Sequence, residues 1–277
     1  MKIAVASGKG GTGKTTVSLS LAESAGRGCV LLDCDVEEPN CHLFLAGTVT
    51  EKVPVTIPLP EFAVSACSGC GECVKVCRFH ALARLGKRVL VFPELCHSCG
   101  GCLLACQEKA LRETSFPIGE IQVRNTDSFQ LISGVMNVGY SMAPFVIRAL
   151  KEYAFAAEHD ITILDAPPGT SCSMVTAVRD SDYVILVTEP TPFGLHDLAL
   201  AHQTLRELGI PCGVIINRAD ENNGIIEDYC RENQLPLLLR IPFSKEIAAG
   251  YSAGRTLLQT VPGLRESFQQ LIGECRI

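Results

Sequence analysis

KIAVASGKGGTGKTT, residues 2 to 16, is the stretch that decides the fold. Its start, Lys2–Ala6, is a short apolar run typical of a buried strand, and the chain from Lys14 to Ala25 has the composition of a helix. The loop between them, Gly8–Thr15, follows the pattern G-x-x-x-x-G-K-T. Its glycines let the backbone turn so tightly that successive NH groups and a helix start converge on phosphate oxygens. The stretch predicts a phosphate-binding loop, and the alternative is an ordinary glycine-rich loop.

The residues of this loop have different predicted roles. Lys14 places a positive charge at the β and γ phosphates of a nucleotide, and the Thr15 hydroxyl can bind Mg²⁺. ATP and Mg²⁺ are therefore the expected ligands. The rest of the predicted nucleotide cradle consists of Gly8, Gly10, Gly11, Thr12, Gly13 and Thr16.

Apolar runs with strand length recur along the chain and alternate with helical stretches. Such runs, apolar throughout, indicate strands buried on both faces, as in a parallel sheet covered by helices. We therefore expect an α/β protein whose ligands gather at the carboxyl ends of the strands. The predicted strands are 29–33, 161–165, 183–188, 213–217 and 235–241, and the predicted helices are 143–158, 194–208, 223–233 and 261–275.

Composition excludes several classes of protein. The chain has 277 residues, 47% of them hydrophobic, which is enough to bury a core. Its net charge of -6 gives no basic surface for nucleic acid, so we do not expect nucleic acid binding. No apolar run reaches the 18 or so residues of a membrane span, so we do not expect stable membrane insertion. The apolar run within the first ten residues, MKIAVASGKG, is too short for the apolar centre of a signal peptide. We therefore expect a cytoplasmic protein.

Cysteine is the unusual component, with 15 residues in the chain. Without export, disulfides are not expected, so the thiols point to metal or redox chemistry. Eight of them form two runs of the pattern C-x2-C-x2-C-x3-C, the second 29 residues after the first. The spacing is that of a bacterial two-cluster ferredoxin, in which the fourth cysteine of each run binds the other cluster. It predicts two 4Fe-4S clusters, one on Cys67, Cys70, Cys73 with Cys106, the other on Cys96, Cys99, Cys102 with Cys77.

Zinc is the main alternative, although zinc sites usually take their ligands as two separated pairs. The strand and helix rhythm stops between Pro54 and about Pro117, where short cysteine- and glycine-rich segments take over. We therefore expect a small domain at 57–117 inserted in a larger one made of 1–56 and 118–277. Cys172 is expected to be a packing residue. The scattered cysteines outside this block are expected to be small core or surface residues: Cys29, Cys34, Cys41, Cys212, Cys230 and Cys275.

The sequence KGGTGKTT, with a second lysine at the start of the loop, resembles the deviant Walker A motif of the MinD/ParA ATPase superfamily. Together with the cysteine block, the chain resembles those members that carry an inserted ferredoxin domain. The resemblance implies a P-loop NTPase fold with a small bacterial-ferredoxin-like insert. It also implies an ATP-dependent homodimer in which Lys9 reaches the phosphates bound by the partner subunit; taken alone, Lys9 is a solvated loop lysine.

The same resemblance assigns roles to polar residues at strand ends. It implies that Asp33 and Asp165 hold Mg²⁺ through water, that Asp35 orients the attacking water, and that Asn217 recognises adenine. Acidic residues at strand ends often only cap loops, and Asn-Arg after a strand often only turns the chain, which is the alternative for each.

Two functions remain open at this point. In the first, ATP hydrolysis, expected to be slow without a partner, drives a conformational cycle that is coupled to electron transfer through the two clusters. In the second, the dimer is an assembly, maturation or protein-positioning factor whose clusters sense redox state. Either function needs a protein redox or maturation partner, which the sequence leaves unidentified.

Overall fold

The computed structural model describes residues 1–275, which form eleven strands and ten α-helices. The strands are β1 Lys2–Ala6, β2 Cys29–Asp33, β3 Val49–Phe62, β4 Leu82–Leu85, β5 Arg88–Val91, β6 Leu111–Asn125, β7 Gln130–Met136, β8 Ile161–Asp165, β9 Tyr183–Thr188, β10 Cys212–Ala219 and β11 Leu237–Pro242. The helices are α1 Lys14–Ala25, α2 Glu72–Val76, α3 Gly101–Ala105, α4 Ala143–Phe155, α5 Cys172–Val178, α6 Pro192–Leu208, α7 Gly224–Glu232, α8 Lys245–Ser252, α9 Leu257–Thr260 and α10 Arg265–Glu274. None of the described helices is long and apolar enough to cross a membrane.

The chain forms two compact units. The larger one consists of Met1–Val53, Ile121–Val135 and the chain from Ala143 onward, and the smaller one consists of Pro54–Glu120 with Met136–Met142. The long strands β3 and β6 each pass from one unit into the other. All eight cysteines of the two runs belong to the smaller unit.

Nine strands form one sheet in the order β11-β10-β9-β1-β8-β2-β7-β6-β3, and β4 and β5 form a separate antiparallel hairpin. The pairings from β11 to β7 are all parallel, which confirms the predicted α/β class. The register sets Val5 of β1 opposite Asp165 of β8, and Asp165 opposite Asp33 of β2. Two acidic residues therefore meet at the carboxyl ends of neighbouring strands.

The core of the larger unit covers both faces of this sheet. Ile3 and Val5 of β1 belong to one apolar cluster that includes Phe268 of α10. Because successive strand residues point to opposite faces, Ala4 and Ala6 face the other side, and they are also fully buried. A strand buried on both faces needs helices on both, which explains why its sequence is apolar throughout.

The structure differs from the sequence predictions at β3, at β7 and at Cys172. The stretch VPVTIPLPE, for which no strand was predicted, belongs to β3, where Val55, Ile57 and Leu59 alternate with exposed residues. Prolines are tolerated there because β3 is an edge strand of the sheet. The parallel strand β7 was not predicted. Cys172, expected to pack, is exposed as the first residue of α5, so that prediction was wrong.

Candidate functional site

The glycine-rich loop leads directly into α1 and leaves the helix start free for a ligand. No side chain caps the N-terminus of α1, and Gly13 before it has a φ of 97°. A β-carbon at Gly13 would overlap the amide of Asn217, so only glycine fits. The buried hydroxyl of Thr12 has no hydrogen-bond partner among the described residues. Free backbone NH groups at a helix start, together with an orphaned buried hydroxyl, suit a phosphate group.

Asp165 is held by two side chains of α1 in the larger unit. The Thr15 hydroxyl donates to its Oδ2 at 2.8 Å, and the Ser18 hydroxyl donates to its Oδ1 at 2.9 Å. Both donors lie on the first turns of α1, so the helix that follows the loop fixes this carboxylate. Burial raises the pKa of Asp165, and the Thr15 bond and the nearby Lys14 ammonium act in the opposite direction.

Asp33 accepts backbone hydrogen bonds from the segment that follows β2. The NH groups of Asn40 and Cys41 donate to its Oδ2, each at 3.0 Å, and the NH of Asp35 donates to its Oδ1 at 3.3 Å. Burial, and then the charge of Asp165, raise the pKa of Asp33. The segment from 35 to 41 is thereby folded back over this carboxylate.

Lys14 is the cation that faces these acids. Its side chain is buried, and burial lowers its pKa while Asp165 and Asp35 act to raise it. Burial raises the pKa of Asp35 to about 6, with Asp165 adding to the shift and Lys14 opposing it. The carboxyl groups of Asp165 and Asp35 beside one buried ammonium form a site that suits a divalent cation and a phosphate chain.

Cys41 completes a compact group of possible metal ligands with Asp33 and Asp165. Their ligand atoms lie within 4.8 Å of one another, and all three residues are buried. The Cys41 thiol donates to Asp165 Oδ2 at 3.4 Å. Burial raises the pKa of Cys41 well above its usual value, so the thiol is neutral and acts as a donor.

Lys9 is held by an acid at the end of β9. Its Nζ lies 3.4 Å from Glu189 Oε2, while Arg218 Nη1 lies 2.7 Å from Glu189 Oε1. The Glu189 side chain is 12% exposed, against 33% for Lys9. Lys9 is therefore engaged within its own subunit.

Asn217 lies against the glycine-rich loop. Its amide nitrogen donates to the Thr12 carbonyl at 2.8 Å. This hydrogen bond joins the end of β10 to the glycine-rich loop. The amino-acid sequence did not indicate this contact of Asn217.

The eight cysteines of the smaller unit line two cavities, four in each. One cavity is lined by three cysteines of the first run and the last cysteine of the second run: Cys67, Cys70, Cys73 and Cys106. The other is lined by the reverse combination: Cys77, Cys96, Cys99 and Cys102. The two runs thus exchange their fourth cysteines.

The repeat that carries the cysteines is also visible in the backbone. α2 and α3 each begin after a glycine in the left-handed region, Gly71 with a φ of 86° and Gly100 with a φ of 71°. Ala81 and Ala110 occupy equivalent places and are both buried. Beside the second cavity, the rings of the exposed His97 and of Phe79 stack with their centroids 3.8 Å apart.

Comparison with protein families decides the assignment of the larger unit. Residues 3–257 match the CobQ/CobB/MinD/ParA nucleotide binding domain. The chain belongs to this family. Its domain and fold are those of a MinD/ParA-type P-loop ATPase, in keeping with ATP hydrolysis.

Individual relatives of this MinD/ParA-family chain include an uncharacterized protein of Methanocaldococcus jannaschii, 31% identical over 268 residues, which cover 94% of this chain and 92% of that one. An iron-sulfur cluster carrier protein of Aquifex aeolicus is 25% identical over 94% of this chain and 62% of its own length. Among solved structures, the septum site-determining protein MinD of Pyrococcus horikoshii, complexed with Mg-ADP, superimposes with a TM-score of 0.58 at 22% identity, covering 100% of this chain and 96% of that one.

Sequence reasoning missed three residues at the nucleotide site of this MinD/ParA-family chain. Ser18, Cys41 and Glu189 contact predicted site residues, yet none belongs to a motif. Ser18 lies one helical turn after Lys14, a spacing from which a contact on the same helix face could have been expected. Cys41 was expected to be a small core or surface residue, and only the folding back of its segment reveals the contact with Asp165.

Proposed function

We propose that the chain is a dimeric, ATP-hydrolysing iron-sulfur protein in which the nucleotide cycle is coupled to electron transfer. The observation that carries the proposal is the grouping of the eight cysteines into two crossed quartets within one compact unit. Four thiolates per site, exchanged between two runs, match the ligand set of a pair of 4Fe-4S clusters. Such clusters supply one-electron transfer when bound, and the chain's part is to hold and shield them.

The width of the quartets favours a cluster over a single zinc ion. Four thiolates on one zinc, each about 2.3 Å from the metal, lie about 3.8 Å from one another. Among residues 1–275, neither quartet brings three of its sulfur atoms within 4.8 Å of one another. A larger group that separates the four sulfur atoms fits these cavities better.

In the nucleotide site, Lys14 neutralises phosphate charge, and Thr15 with Asp33 and Asp165 positions Mg²⁺, the acids through water. Support comes from the contacts of Asp165 with Thr15 and of Asp33 with the segment after β2. Asp35 is the residue that orients the attacking water. Little covalent chemistry falls to the protein in phosphoryl transfer, so positioning and charge suffice.

The dimer rests on Lys9, which must leave Glu189 to reach phosphates bound by the partner subunit. Asn217, already hydrogen-bonded to the loop at Thr12, is proposed to recognise adenine. The insert, proposed to span 57–117 between 1–56 and 118–277, follows Asp35 by about twenty residues of sequence. Movement of the segment after β2 on ATP binding thus has a short covalent route to the cysteines.

A redox titration with and without nucleotide tests the proposed coupling. The potentials would be measured anaerobically without nucleotide, with ADP and with a non-hydrolysable ATP analogue. Coupling between two linked sites is typically about 1 to 3 kcal/mol, which corresponds to about 40 to 130 mV for a one-electron couple. The affinity for the analogue must change by the same free energy when the protein is reduced. Equal potentials in all three states, with an unchanged affinity, would exclude thermodynamic coupling.

An assembly or maturation role is the second candidate function. The observation that favours it is the 25% identity with the iron-sulfur cluster carrier protein of Aquifex aeolicus. Transfer of a cluster from the purified protein to an apo-ferredoxin, dependent on ATP, is the result that this candidate predicts. Retention of both clusters throughout ATP turnover would favour the electron-transfer function instead.

A further inference from the structure

The two halves of the cysteine repeat differ sharply in charge. Residues 67–91 contain five basic residues and one acidic residue, whereas the equivalent residues 96–120 contain two basic and three acidic residues. The whole chain has a net charge of -6, so the first half is a basic segment in an acidic protein. Holding a metal group needs the same cysteines in both halves, so ligation alone does not explain this difference.

The basic residues of the first half surround the exposed Cys70. Arg84 Nη1 donates to the Cys70 carbonyl at 3.4 Å, and the Lys87 backbone packs against Gly69. Lys75, on α2, interacts electrostatically with both Cys70 and Arg84 and pairs with Glu72 at 2.7 Å. Arg84 and Lys87 are both exposed on the β4–β5 hairpin. These two cations and Lys75 form what we call the basic face.

The equivalent positions around the second exposed cysteine, Cys99, carry no cation. The repeat is offset by 29 residues, so the equivalents of Lys75, Arg84 and Lys87 are Leu104, Glu113 and Phe116. Leu104 is 91% exposed, and Glu113 is exposed as well. One scaffold thus presents two different surfaces, and the second serves as an internal comparison for the first.

We infer that the basic face beside Cys70 is the docking surface for an acidic electron-carrier protein, and that the equivalent surface beside Cys99 is not. The inference rests on the proposed electron-transfer function. Charge complementarity identifies the partner, because a basic patch attracts an acidic one and speeds encounter. Glu72 and Glu108 line the cavity beneath, and Lys75 and Glu72 neutralise each other, so Arg84 and Lys87 carry the positive charge of the basic face. Leu85, 68% exposed at the hairpin tip, supplies the apolar contact of a small transient interface.

Binding of an oxidised flavodoxin, an acidic flavin carrier, tests the inference without measuring turnover. Isothermal titration calorimetry on the anaerobic, iron-loaded protein would compare low ionic strength with about 0.3 M salt, at which exposed charges are strongly screened. Lys87→Glu should weaken binding about fivefold or more at low salt, and the loss should disappear at high salt. Arg27→Glu makes the same charge change on an exposed residue of the larger unit and should leave the affinity within about twofold.

Each other outcome overturns the inference. These outcomes are an absence of binding, an affinity independent of salt, or an equal loss in both variants. A change in self-association of Lys87→Glu without a change in flavodoxin affinity would assign the basic face to a second copy of the chain. The iron content of the same samples separates this inference from the proposed function. Protein with about eight irons but no salt-dependent binding defeats the docking surface alone, whereas protein without iron defeats both.

Discussion

Replacing Glu189 with glutamine tests how Lys9 is held before ATP is bound. The Glu189 carboxylate lies 3.4 Å from Lys9 and 2.7 Å from Arg218. If Lys9 crosses to the partner's phosphates, its ion pair with Glu189 must break in each subunit as the dimer forms. Glu189→Gln removes the charge that holds Lys9 while keeping the size of the side chain. We therefore expect the variant to form the ATP-bound dimer more readily.

The expected size of the effect follows from the exposure of the pair. With Lys9 33% exposed, the pair belongs to the class of partly solvated ion pairs that contribute about 0.2 to 1 kcal/mol each. Two such pairs break per dimer, which gives about 0.4 to 2 kcal/mol. Dimer association should therefore become about 2 to 30 times tighter.

Sedimentation velocity with a non-hydrolysable ATP analogue would measure the dimer constant. The matched control is Glu227→Gln, which removes the acid of another ion pair, with Arg240 at 2.8 Å, on α7. The control should leave dimerisation unchanged. An unchanged or weaker dimer in Glu189→Gln would show that Glu189 does not restrain Lys9.

Four further variants test the site residues. Lys14→Ala should weaken ATP binding about 10- to 100-fold in equilibrium titrations, because charged hydrogen bonds to phosphate are lost. Lys9→Ala should leave ATP binding by one subunit intact and impair ATP-driven dimerisation. Equal loss of ATP binding in both variants would exclude the cross-subunit role of Lys9. Asp35→Ala should lower ATP turnover about 100-fold or more and trap an ATP-bound dimer, and unchanged turnover would remove Asp35 from the mechanism. Cys106→Ser should damage the cluster of Cys67 more than the cluster of Cys77 in electron paramagnetic resonance spectra, and the reverse would contradict the crossed ligation.

The strands β1, β2, β8 and β9 were predictable because they are buried on both faces. A short apolar run such as CVLLD at Cys29–Asp33 is typical of a strand in a parallel sheet covered by helices, and β2 has the predicted bounds. β3 was missed because its prolines hide the alternation of buried and exposed residues. Only the position at the sheet edge, which is set by tertiary structure, makes prolines acceptable there.

The candidate site shows a similar division between local and tertiary information. The loop around Lys14 is encoded locally, since its glycines, lysine and threonine are contiguous. The partners of Asp165 and Lys9 are not encoded locally. Cys41 lies 124 residues before Asp165 in the sequence, and Glu189, the partner of Lys9, follows the distant strand β9. Such contacts depend on strand register, which no local pattern specifies.

The iron and acid-labile sulfide content of anaerobically purified protein tests the central claim most directly. The proposed ligation predicts brown protein with about eight irons and eight sulfides per chain. The Cys106→Ser protein should retain the cluster bound by Cys77, Cys96, Cys99 and Cys102. Stoichiometric zinc, with iron and sulfide absent, would contradict the claim that the crossed cysteine quartets hold two 4Fe-4S clusters.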